Sequence, residues 1–139
     1  MLRLSAETHA PYWLDLLPGV RVRVRPASVA MMLAARQAVG EVVRGEDRDD
    51  LDLRTNIALV GEVSRRAIME WEGVGDAHGA PLPVTPENID KLMEVWAAFD
   101  EFDNRYVAPA LVRDQEKNGS SSSPPGTSAA GPNTAAPAA

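Results

Sequence analysis

Residues 71–91 read WEGVGDAHGAPLPVTPENIDK, and this stretch decides the fold. A helical pattern enters it and stops near Trp71. Asp76-Ala77-His78-Gly79 then supplies the acceptor-rich and flexible residues of a tight turn, with Gly79 free to take positive φ. Pro81 and Pro83 remove two backbone donors and restrict Leu82, so pairing of Val74 with Leu82 across the turn is short or at an edge. Thr85-Pro86-Glu87-Asn88 starts a new helix. Thr85 caps it, Pro86 fills the first turn where its missing N–H is harmless, and Glu87 meets the positive end of the helix dipole.

Working outward toward the N-terminus, residues 11–25 read PYWLDLLPGVRVRVR, with Pro18-Gly19 as a turn signal between two short apolar segments. The pattern predicts a β-hairpin. In its second arm Val20, Val22 and Val24 alternate with Arg21, Arg23 and Arg25, so a strand places valines on one face and guanidiniums on the other. The arginines fit a half-buried edge strand protected against edge pairing; the rival reading is a basic stripe that docks an acidic partner.

Ser28 caps a predicted helix that runs to Arg44 and is stopped by Gly45. Val29, Met32, Leu33, Val39 and Val43 form its apolar stripe, and Met31 and Met32 read as core filling. The carboxylate-rich loop 45–50 invites a calcium reading, but the EF-hand spacing fails: counted from Asp47, the obligatory glycine position holds Asp52. Helix chemistry explains the loop better, with Asp49 or Asp50 capping a second helix over 51–71. Leu53, Ile57, Val60, Ala67, Ile68 and Trp71 are its apolar stripe. Gly61 in its middle costs about 1 kcal/mol against alanine and marks a place for a close helix contact.

Downstream, Ile89, Leu92, Met93, Trp96, Phe99, Phe102 and Tyr106 continue one long third helix on a wide apolar face, until Pro109 ends or kinks it near Val107-Ala108. From Asn118 the chain is NGSSSSPPGTSAAGPNTAAPAA, without charge or aromatic residue, a composition that predicts disorder. The fold class is therefore mainly α: a small bundle of about three helices with a short N-terminal β-hairpin over residues 1–117, then a disordered tail over 118–139.

The 139 residues fit one domain with a modest core, and a body of that size leaves apolar surface for a homo-oligomer to cover. A net charge of −6 disfavours nucleic acid and anionic membrane surfaces. The absence of cysteine suits a reducing cytoplasm, and no apolar run approaches the roughly 18 residues of a membrane span. His78 and His9 stand alone, no nucleophile has a base beside it, and no phosphate loop, dinucleotide or HExxH pattern occurs. Asp100 and Asp103 read as a solvated helix face rather than a catalytic dyad. The sequence points to a non-enzyme without cofactor or metal.

Trp71-Glu72-Gly73-Val74, then Asp76-x-x-Gly79-x-Pro81, then Thr85-Pro86-Glu87-Asn88 ahead of an aromatic helix, resembles the small tail assembly chaperones of long-tailed phages and prophages. The polar end is similar too: Lys117-Asn118-Gly119, the serines at 120–123, Pro124-Pro125 and Gly126-Thr127-Ser128-Ala129. The resemblance spans roughly residues 60–139. It implies an assembly factor in the cytoplasm of a bacterial host that keeps the helical tape-measure protein soluble, helps recruit the tail-tube protein, and is lost from the mature virion. It also implies that a longer product can arise by frameshifting, for which Glu116-Lys117-Asn118 is a compatible site. On this reading the partner surface lies near Trp71, Met93, Trp96 and Phe99, residues whose helical spacing fits a core equally well. The rivals are a minor structural virion protein, such as a tail-completion or connector component, and a host interaction module.

Overall fold

The computed structural model describes Met1 and residues 10–119, with side chains through Arg113. It divides into two compact units, Met1–Val107 and Ala108–Ala139. In the first, β1 (Tyr12–Leu17) and β2 (Val20–Val24) pair antiparallel about Pro18-Gly19, as the turn signal predicts, with Gly19 at φ 78°. A third strand, β3 (Ile68–Glu72), lies on the other side of β2, giving the antiparallel order β1-β2-β3. The mainly α fold with a hairpin holds, and the sheet has one strand more than the sequence reading supplied.

The helix expected to reach Trp71 ends at Ala67, because the last five residues of that stretch do better as a strand. In IMEWE the two glutamates land opposite the arginines of β2: Arg21 Nε donates to Glu72 at 2.8 Å and Arg23 Nη1 to Glu70 at 3.0 Å. Ile68 and Trp71 oppose Val24 and Val22, with a bulge at the intervening Met69. Thus β2 is the middle strand, not an edge, and its stripe is neither edge protection nor a free basic surface. Arg21 also lies 4.2 Å over the Trp13 ring. Such exposed pairs add little to stability. Their larger effect is on register, because a one-residue slip would expose Val22 and Val24, which are fully buried.

Gly73 closes the sheet. Its φ is 86°, and a Cβ there would collide with the Gly19 carbonyl oxygen in the β1–β2 turn. Only glycine lets the chain leave β3 against that turn.

Helices α1 (Val29–Arg44) and α2 (Leu51–Ala67) pack lengthwise as a helical hairpin. Ser28 Oγ accepts the Met31 N–H at 3.2 Å, the expected cap. The start of α2 differs from expectation: Asp50 holds the cap position at φ 51° but its side chain caps nothing. Instead Arg54 Nη1 donates to the carbonyls of Asp47 and Asp49 at 3.0 and 2.9 Å, and the Asp49 N–H donates to Asp47 Oδ1. The acidic loop is closed by an arginine and an aspartate turn. Met31 and Ala35 face inward from α1, and Val60, Val63, Ser64 and Ala67 from α2. The Ser64 hydroxyl donates to the Gly61 carbonyl at 2.8 Å, so its burial leaves no donor stranded. Much of the expected apolar stripe faces out: Val29, Leu33 and Val43 on α1, Leu53 and Ile57 on α2 are exposed. No described residue approaches within 4 Å of a Cβ position at Gly61, so the helix contact expected there is not made among the described residues.

The long third helix is broken. Helix α3 (Pro86–Met93) stops at Glu94, Val95 is extended (φ −80°, ψ 113°), and α4 (Trp96–Phe102) begins on a new axis. The break lets Ile89, Leu92 and Met93 enter the core from α3, and Ala98 and Phe102 from α4. A π-helical turn, Asp103–Val107, follows and buries Tyr106 and Val107. Tyr106 stacks on Phe102 with centroids 5.1 Å apart, and its hydroxyl donates to the Arg25 carbonyl at 2.5 Å with Met31 Sδ 3.3 Å away. One side chain thus ties the π turn to the junction of β2 and α1.

In the second unit, α5 (Ala108–Gly119) takes Pro109 in its first turn, where the lost N–H is tolerated. The interruption expected near Val107-Ala108 coincides with the boundary of the units. Helix α5 runs through Gly119, into the stretch whose composition predicts disorder; the remainder of that stretch, 120–139, lies outside the described residues.

Two substitutions test this frame. Gly73→Ala is expected to destabilise by more than the about 1–2 kcal/mol of a left-handed non-glycine residue, because the Gly19 turn must also move; urea denaturation measures it. Tyr106→Phe keeps the ring but removes the hydroxyl, and is expected to cost about 1 kcal/mol in the same measurement.

Candidate functional site

The stretch 71–91 is occupied in holding itself together. The Trp71 indole N–H donates to the Leu82 carbonyl at 2.8 Å, and the Leu82 N–H donates to Val74 at 3.1 Å, the expected facing pair. Asp76 Oδ1 accepts the N–H groups of His78 and Ala80 at 2.8 and 3.0 Å, and Gly79 takes φ 82°. Thr85 Oγ1 accepts the Asn88 N–H at 3.1 Å. These bonds make a rigid connector.

Of the four residues placed at a partner surface by the sequence reading, Met93 is buried in the core and Trp71 is half-buried with its N–H committed to Leu82. The structure brings the other two together at the surface. Trp96 is 72% exposed at the first position of α4, and Phe99, one turn on and half-buried, stacks against it with centroids 6.3 Å apart and planes at 19°. The break at Val95 makes this possible, because a continuous helix would have fixed Trp96 to the inward row of Leu92 and Met93.

Trp96 stands on one wall of a groove of about 610 Å³; the other wall is the end of β1 and the Pro18-Gly19 turn. The lining of the groove carries charge. Glu101 and Arg105 pair within α4 and the π turn at 2.6 Å and neutralise each other. Asp15 and Asp100 also line it, and neither forms an ion pair with a described residue. Asp15 sits across the strand register from Arg21 and interacts with it electrostatically, while Arg21 is bidentate to Glu72 and stands over Trp13. Asp15 carries no signal in the sequence, since its place in the same lining as α4 depends on the packing of α4 against β1. The lining holds no serine, threonine, cysteine or histidine.

Burial pushes the neighbouring Asp103 carboxyl up from its ordinary value; the hydrogen bond with Asn56 opposes this, and the Asp100 charge adds to it. A second recess, of about 340 Å³ between β3 and the start of α3, is lined by Arg25, Arg65 and Thr85. Arg65 there is already bound to Asp90 at 2.7 Å, which holds its guanidinium above the usual value. Among the described residues no cluster of three or more His, Cys, Asp or Glu side chains gathers to hold a metal ion, and no helix is long and apolar enough to cross a membrane.

The raised Asp103 value fixes a sign. A carboxyl that binds its proton more tightly when folded lowers stability as pH rises through the interval between its unfolded and folded values, and the penalty is complete above both. Asp103→Asn, which keeps an acceptor for Asn56, is therefore expected to raise Tm at neutral pH, with the gain vanishing below the ordinary aspartate range; thermal melts across pH measure it.

No protein family, curated protein or solved structure matches this chain in sequence or in fold.

Proposed function

We propose that this chain is an assembly chaperone of the phage-tail type, which holds the helical tape-measure protein soluble in the host cytoplasm and helps bring tail-tube subunits to it. The observation that supports it most is the apolar surface on a small acidic domain: an exposed Trp96 stacked on Phe99, and the outward Leu33, Leu53 and Ile57 of the α1–α2 hairpin. Isolated exposed apolar residues are ordinary, but a tryptophan on a groove wall and a stripe along a helical hairpin are what a helix-in-groove binder presents. The resemblance of residues 71–88 to tail assembly chaperones supports the choice of partner. The same hairpin stripe is available to a second copy, so a homo-oligomer that opens to admit its client is part of the proposal.

Co-expression with the longest helical protein encoded beside it tests the reading. That protein is expected to become soluble and to co-purify, while this chain is absent from purified particles. Failure to solubilise it, together with retention of this chain in particles, would replace the chaperone with a minor structural component such as a connector or tail-completion protein.

A further inference from the structure

We draw no further inference here: the strongest candidate, the aliphatic surface that Val29, Leu33 and Val43 of α1 and Leu53 and Ile57 of α2 leave exposed on the helical hairpin, carries none, because nothing in the structure shows what covers it.

Discussion

The structure depends on β2 having a partner on each side. Val22 and Val24 are fully buried, so the strand that carries them must be held in one register, and a two-stranded hairpin alone is marginal in water. The second partner is β3, recruited from far along the chain, and the match of Arg21 and Arg23 with Glu72 and Glu70 favours the native alignment. Because β3 follows directly from α2, fixing the strand also fixes the end of that helix. Arg25 extends the join: its N–H donates to the Ala67 carbonyl at 2.9 Å and its guanidinium to the Arg66 carbonyl at 2.7 Å, satisfying acceptors at the helix terminus.

From the same strand the constraint passes to the far end of the unit. The Arg25 carbonyl accepts the Tyr106 hydroxyl, and Tyr106 is carried by the π turn. An α-helix gives each residue about 100° of rotation, so a break and a wider turn are the means by which α3, α4 and the π turn can all present apolar rows to one core. The consequence for the surface is direct: the core claims Met93, Ala98, Phe102 and Tyr106, and Trp96 is left on the outside beside the β1–β2 turn.

The parts of this that were legible in sequence are those set by local chemistry. Pro18-Gly19, the Ser28 and Thr85 caps and the 76–79 turn are each decided by a few neighbouring residues, and each is present. The parts that were not legible depend on long-range pairing. IMEWE continues a helical stripe as readily as it alternates, and nothing nearby says that Arg21 and Arg23, some fifty residues earlier, will select the strand. The break at Val95 has neither glycine nor proline to announce it. Periodicity found apolar stripes on α1 and α2 but could not say how much of each the core would take, and Leu33, Leu53 and Ile57 remain exposed. At the groove, Trp96 and Phe99 were named through the family resemblance, their spacing fitting a core equally well, whereas Asp15 belongs to a different element and enters only through tertiary packing.

The two apolar surfaces of the first unit differ in what they can discriminate. The hairpin stripe is aliphatic, and Gly61 leaves space for another helix to come close, so its selectivity is chiefly one of shape. The groove combines a flat aromatic ring with charged groups of both signs, among them the Glu101–Arg105 ion pair. An acidic chain that exposed only aliphatic surface would hold any amphipathic helix equally well, including its own. A groove that sets charged and polar groups beside its aromatic wall asks more of an occupant than shape alone.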